Sequence, residues 1–288
     1  MTILVIGATG GVGSAVLAGL AAKGLPVRGM TRYPSNLEKL PAGAEGVVAD
    51  LTAPGSLINA FKDVEQLFLM TPLSQNEIQA GRNAVAAAKA AGVKRIVHLS
   101  VPLPTGAEQI PHYRNKIFIE KALKESGITY TILRPNNFYQ NDFWGKAAIM
   151  AYGTYPQPIG NVGLSRVDSR DVADAAINAL LNDGFENQEF LLNGPDVLTA
   201  NQIAEIFSAQ LGKTIQYGGD DLEAWAKQSQ HMMPQWMVSD FKVMYAYFQN
   251  HGLIASEETL EKQKAIIGHA PRTFAAFAAE MTGSWSQG

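Results

Sequence analysis

No cysteine occurs among the 288 residues. That absence excludes disulfides, thiolate metal ligands and a cysteine nucleophile in one step. An excess of charge of one sign is equally lacking: 23 Lys and Arg stand against 26 Asp and Glu, a formal charge of −3. With no basic footprint, nucleic acid is not expected as the main partner. Long hydrophobic runs are missing too: no apolar stretch approaches about 18 residues, and no membrane span is expected. The first apolar run opens at Ile3, which leaves no room for a leader before it, so a cytoplasmic protein is expected. The remaining composition, 47% hydrophobic and 17% charged, is that of a globular chain long enough for a large core in one or two domains.

Ile3-Leu4-Val5-Ile6 is apolar without alternation, as in a buried parallel strand, and Ser14 to Lys23 is rich in Ala and Leu, as in a helix. Between them stands Gly7-Ala8-Thr9-Gly10-Gly11-Val12-Gly13. A tight strand-to-helix turn needs residues without a Cβ where backbone N–H groups and the positive helix end meet a pyrophosphate. Glycines at 7, 10 and 13 satisfy that need, in the spacing variant of short-chain dehydrogenases/reductases. A glycine-rich turn that merely closes a βα unit would share part of this pattern. A dinucleotide held by Gly7, Thr9, Gly10, Gly11, Val12 and Gly13 is the expectation.

Strands expected at 2–6, 26–31, 46–49, 65–70, 94–99 and 129–134 alternate with helices near 11–23, 54–62, 75–91 and 112–126, the rhythm of an α/β, doubly wound parallel sheet. Gly24, Gly92 and Gly127 each follow a helix end, where a left-handed cap is wanted. After Pro135 the rhythm changes. Short strands near 162–167 and 188–192 alternate with helices near 169–182 and 199–211, and Asp220 to Glu280 reads as helical. The expected architecture is a Rossmann domain over 1–135, with 136–288 forming a smaller, mostly helical lobe interleaved with it and closing over the strand ends where such sheets bind ligands.

At the end of the second strand stands Arg32, where an NAD site places an acid for the ribose 2′-OH. A guanidinium suits a 2′-phosphate, so NADP(H) is preferred over NAD(H), although a solvated loop arginine would read the same way. Asp50 ends the third strand, beside the adenine or as an N-cap for the helix at 54–62. Met70, Thr71 and Pro72 pass over the middle of the cofactor, with proline stiffening the loop. Ser100 ends the fifth strand, at the place where short-chain dehydrogenases keep a polar residue facing the nicotinamide, although a serine at a strand end is otherwise ordinary. His98 reads as a satisfied interior histidine.

In Pro111-His112-Tyr113-Arg114-Asn115-Lys116-Ile117-Phe118-Ile119-Glu120, His112 occupies the place of the tyrosine in a Tyr-x-x-x-Lys pair. On a helix His112, Lys116 and Glu120 share one face at i, i+4 and i+8. Lys116 then reaches the cofactor ribose, and His112 is a candidate general acid, a side-chain type suited to that work near neutral pH, although nothing in the sequence fixes its orientation. A solvated His-Lys-Glu face is the plain alternative.

Taken together, the glycine turn, Arg32, the Lys116-x-x-x-Glu120 helix and Ser126-Gly127-Ile128-Thr129-Tyr130-Thr131-Ile132-Leu133-Arg134-Pro135-Asn136-Asn137-Phe138 resemble the NmrA-like family of atypical short-chain dehydrogenases/reductases. Val167-Asp168-Ser169-Arg170-Asp171-Val172-Ala173 and Pro271-Arg272-Thr273-Phe274 fit as well. The resemblance spans nearly the whole chain and implies a Rossmann fold, a bound NAD(P)(H) and Lys116, His112 and Ser100 as catalytic candidates. Pro135 and Asn136 are counted with the cofactor contacts. Such families contain quinone and dye reductases, and also cofactor-binding sensors without turnover. The absent tyrosine argues against ordinary alcohol dehydrogenase chemistry. A small-molecule substrate is expected, against an aromatic wall of Phe138, Tyr139, Phe143 and Trp144 that suits a quinone, although core packing is the stronger reading for any one of them. The Met- and Trp-rich stretch from His231 to Met237 suits a lid or a buried corner. No metal site is expected, and the oligomeric state stays open.

Overall fold

The computed structural model describes residues 2–285. Its strands are β1 (Thr2–Ile6), β2 (Val27–Thr31), β3 (Ala44–Val48), β4 (Val64–Met70), β5 (Arg95–Leu99), β6 (Thr129–Pro135), β7 (Thr154–Tyr155), β8 (Gln188–Leu192) and β9 (Gln216–Tyr217). All but β7 and β9 form one parallel sheet in the order β3-β2-β1-β4-β5-β6-β8. The winding direction reverses between β1 and β4, and the crevice outside their carboxyl ends is where such sheets bind ligands.

The helices are α1 (Gly11–Ala22), α2 (Pro54–Ala60), α3 (Glu77–Ala91), α4 (Pro111–Glu125), α5 (Lys146–Tyr152), α6 (Ser169–Leu181), α7 (Ala200–Leu211), α8 (Leu222–Ser229), α9 (Gln235–His251), α10 (Glu257–Ile267) and α11 (Phe274–Trp285). Because strand side chains alternate, β1 feeds two cores. Ile3 and Val5 pack with Leu17, Val172 and Ile266 under α1, α6 and α10. Leu4 and Ile6 pack with Leu57, Ala84 and Leu123 under α2, α3 and α4. A third core of Tyr139, Tyr155, Phe207, Phe248, Phe274 and Trp285 holds the C-terminal lobe together.

The expected elements stand, with one correction. No strand forms at 162–167: Leu164 makes isolated bridges to Leu198 and Leu253, and Val167 to Phe138. Gly163, with φ of 116°, breaks the extended run. The expected strand at 188–192 does form, but as β8 it extends the main sheet alongside β6. Residues 169–192, and α10 after them, therefore pack with the Rossmann layers, although they follow Pro135 in sequence. No helix among the described residues is long and apolar enough to cross a membrane.

Candidate active site

The turn after β1 is shaped by two glycines that the backbone itself demands. Gly7 has φ +78°, and a Cβ there would lie 2.2 Å from the Met70 methyl; a Cβ on Gly13 would lie 2.2 Å from the Gly7 carbonyl oxygen. Gly10 and Gly11 do different work. Gly10 is extended, with φ −93°, and a Cβ there meets the flexible Met70 methyl at 3.3 Å and the Gly7 carbonyl at 3.4 Å; a Cβ on Gly11 meets nothing within 4 Å. The start of α1 carries no side-chain cap and no acid in its first turn. Its N–H groups and the positive end of its dipole thus face an open cradle, which fits a phosphate group. Val12 is buried beneath the turn and Thr9 is exposed on it.

Arg32 lies beyond the end of β2, exposed, with its guanidinium 4.6 Å over the Tyr33 ring and donating to the Tyr33 hydroxyl at 2.5 Å. Asp50 does not cap α2, whose N-cap is Ala53. Its carboxylate accepts from the Thr52 N–H and hydroxyl, both at 2.8 Å. The Thr52 N–H in particular holds the Asp50 carboxyl below its ordinary pKa, and the Arg32 guanidinium adds to this.

Beyond Met70, whose methyl abuts the turn, a cavity of about 440 Å³ opens at the carboxyl ends of β4, β5 and β6. Met70, Thr71, Ser100, His112, Lys116, Pro135, Asn136, Phe138 and Trp144 all line it. The C-terminal lobe closes the far side with Trp225, Met232, Met233, Phe241 and Met244. Most of this wall is apolar, which suits a flat aromatic ligand.

Three polar clusters on α4 interrupt that wall. Lys116, only 7% exposed, pairs with Glu77 Oε1 at 2.8 Å and donates to Thr71 Oγ1 at 2.6 Å; Thr71 in turn donates to Glu77 at 2.9 Å. One turn on, Glu120 accepts from Ser100 Oγ at 2.6 Å and from Arg134 at 3.0 and 2.6 Å. One turn back, His112 Nδ1 lies 2.5 Å from Asp240 Oδ1 on α9. The His-Lys-Glu face is therefore largely buried and hydrogen-bonded rather than solvated surface. His98 is buried as expected, but only half satisfied: Nδ1 reaches the Leu69 carbonyl at 3.1 Å and Nε2 has no partner. A carbonyl only accepts, so Nδ1 carries the hydrogen. Burial pushes its pKa down to about 3, and the ring is neutral at neutral pH.

Other expected residues are not cavity walls. Tyr139 is fully buried in the lobe core, between Phe274 and Phe277, and Phe143 packs on Phe277 at 5.8 Å. Phe143 is otherwise half exposed, and of the four aromatics Phe138 and Trp144 line the cavity. Pro72 is exposed outside it. Asn136 lines the cavity with its side-chain hydrogen bonds already used: it donates to Asn193 and the Leu253 carbonyl and accepts from the Asn137 N–H.

Sequence reasoning missed Glu77 and Asp240, whose partners lie far away in the chain, and the buried pair beneath Asn137 and Phe138. There Arg166 and Asp142, both fully buried, meet at 2.9 and 3.0 Å, and Arg166 also donates to Asn137 Oδ1 and the Phe138 carbonyl. Burial pushes the Asp142 carboxyl up, and the Arg166 guanidinium pulls against it. The Asp168-Ser169-Arg170-Asp171 stretch also has a structural task. Asp168 caps α6 by accepting from the Arg170 N–H, and Asp171 accepts from the Arg272 N–H and pairs with its guanidinium, tying α6 to the segment before α11.

The chain is 32% identical over 282 residues to an NAD(P)H azoreductase of Xenophilus azovorans, covering 96% of each chain. It is 29% identical to quinone oxidoreductase 2 of Escherichia coli, over 95% of this chain and 96% of that one. The structure of an E. coli NADPH-dependent quinone oxidoreductase complexed with NADPH superposes with a TM-score of 0.86 at 26% identity, covering 98% of this chain and all of that one. A model of the NmrA-like family matches residues 1–278, and the chain belongs to that family.

Proposed function

We propose that the chain is an NAD(P)H-dependent reductase that delivers hydride to a small, flat electrophile such as a quinone or an aromatic dye, with NADP(H) preferred over NAD(H). The observation that carries this reading is the buried Lys116 ammonium, fixed by Glu77 and Thr71 on the wall of an apolar cavity that adjoins the phosphate turn. The matched azoreductase and quinone oxidoreductases support it. Gly10 and Gly11 would leave room for the pyrophosphate, Arg32 would meet the 2′-phosphate and Lys116 the ribose. The reduced nicotinamide supplies the hydride; the protein supplies position and electrostatics. Residues 1–135, joined by α6, β8 and α10, form the cofactor domain, and the rest of 136–288 supplies a smaller substrate lobe interleaved with it. A reduced pyridine nucleotide as co-substrate suits the cytoplasm.

At the reacting end, the Lys116 cation favours negative charge developing on an acceptor beside it. Ser100, with its hydroxyl hydrogen committed to Glu120, offers an oxygen that accepts rather than donates. His112 is the candidate proton donor. Lys116→Ala is expected to lower kcat/KM at least ~10-fold, about 1.4 kcal/mol of transition-state stabilisation. Steady-state kinetics with a quinone check it, with circular dichroism to confirm the fold, since Glu77 loses its cation. A wild-type rate in a folded variant would leave Lys116 a structural residue.

Arg32 sets cofactor choice. Arg32→Ala is expected to weaken NADPH by roughly 1–3 kcal/mol, the scale of a charge-assisted hydrogen bond, and to leave NADH nearly unchanged. Calorimetric titration of both nucleotides measures this, and equal losses for the two would show that Arg32 does not read the phosphate.

A further inference from the structure

We propose that Asp240 is a positioning residue for His112, holding its imidazole in the Nδ1–H form so that Nε2 serves the cavity as the proton-transfer atom. The inference rests on the reductase reading and adds to it a residue from the opposite lobe. Asp240 Oδ1 lies 2.5 Å from His112 Nδ1, across 128 residues of sequence, and Asp240 is 5% exposed. An ionised carboxylate has no hydrogen to give, so Nδ1 must be the donor. The ring is also held by neighbours: Tyr113 meets it edge-on at 4.7 Å and Phe241 at 5.9 Å. His112 lines the cavity, and its Nε2 makes no hydrogen bond among the described residues without being sealed from solvent.

The chemistry needs such an arrangement. When a carbonyl or azo acceptor takes hydride, the C=O or N=N π bond breaks, a bond to hydrogen forms at one atom, and the electron pair is left on oxygen or nitrogen. The reduced nicotinamide is oxidised in the same step. The imidazolium Nε2–H bond then breaks and its proton neutralises that pair, leaving a neutral imidazole whose Nδ1–H stays on Asp240. Water returns the proton to Nε2. Because the carboxylate fixes the tautomer to which the imidazolium decays, the ring needs no reorientation between turnovers. Asp240 sits on α9, whereas His112 sits on α4, so the proton donor is complete only when the lobe is docked on the Rossmann half.

Asp240→Asn keeps the shape and removes the charge. Its kcat for a quinone is expected to fall ~10-fold or more, with the quinone KM and the NADPH Kd within about twofold of wild type, and with a larger solvent deuterium isotope effect on kcat. In a His112→Gln background the same substitution should cost nothing further. Nitrogen-15 NMR of histidine-labelled protein, assigned with His112→Gln, reads the tautomer without turnover: Nδ1–H in the wild type, with Nε2–H appearing in Asp240→Asn. An unchanged tautomer, or an equal loss of kcat in both backgrounds, overturns the role of Asp240 while leaving the reductase reading intact. A wild type that shows the Nδ1–H form yet reduces no acceptor overturns the reductase reading and, with it, the proton-transfer role.

Discussion

Gly10→Val is expected to weaken NADPH at least ~100-fold, about 2.7 kcal/mol, in a protein that still folds. The three expected glycines are not equivalent tests. Substitution at Gly7 or Gly13 meets a positive φ or a backbone oxygen at 2.2 Å and disturbs the turn itself. Gly10 has an extended backbone, and its added Cβ meets nothing closer than the Met70 methyl at 3.3 Å. The valine branches would instead occupy the approach to the uncapped start of α1, where an anion must come within hydrogen-bond distance of the backbone. Titration calorimetry gives the affinity, and thermal unfolding shows whether the fold survives. Unchanged affinity in a folded variant would remove the pyrophosphate from this turn.

Arg166→Met is expected to cost about 3–5 kcal/mol of stability, the usual result of stripping the partner from a buried charge. Asp142 would then sit fully buried with only Tyr155 and Gln157, among the described residues, donating to it. Its folded-state pKa, already pushed up by burial, would rise further without the guanidinium. A carboxyl whose folded pKa lies above its unfolded value favours folding in acid and loses that advantage as pH rises through the folded pKa. The variant's deficit should therefore grow from acid toward neutral pH. Replacing both residues, as Arg166→Met with Asp142→Leu, should recover part of the loss. Denaturant unfolding of the three proteins at two pH values checks this; a single variant as stable as the wild type would contradict it.

Much of this was legible in the sequence because local pattern carries it. The apolar run before Gly7 gives a parallel strand and its turn, and the i, i+4, i+8 spacing of His112, Lys116 and Glu120 places all three on one helix face. What those residues touch was not legible. Glu77, Asp240 and Arg134 reach α4 from elsewhere in the fold, and no local spacing announces such meetings. Tyr139 and Trp144 looked alike as aromatic wall candidates, yet one is fully buried in the lobe core and the other is 71% exposed at the cavity mouth. The strand expected at 162–167 failed for a local reason, since Gly163 takes a φ that ends extended structure. Arg166, between Ser165 and Val167, carries no local sign that it is buried, so nothing in the sequence announced the Asp142 pair.

The most direct test of the account is NADPH consumption by the purified wild-type protein against a panel of quinones and aromatic dyes. The account predicts steady, acceptor-dependent loss of NADPH absorbance with at least one planar acceptor, faster than with NADH and strongly reduced in Lys116→Ala. Tight NADPH binding with no oxidation by any acceptor in the panel would contradict it and leave a protein that senses the cofactor without turning it over.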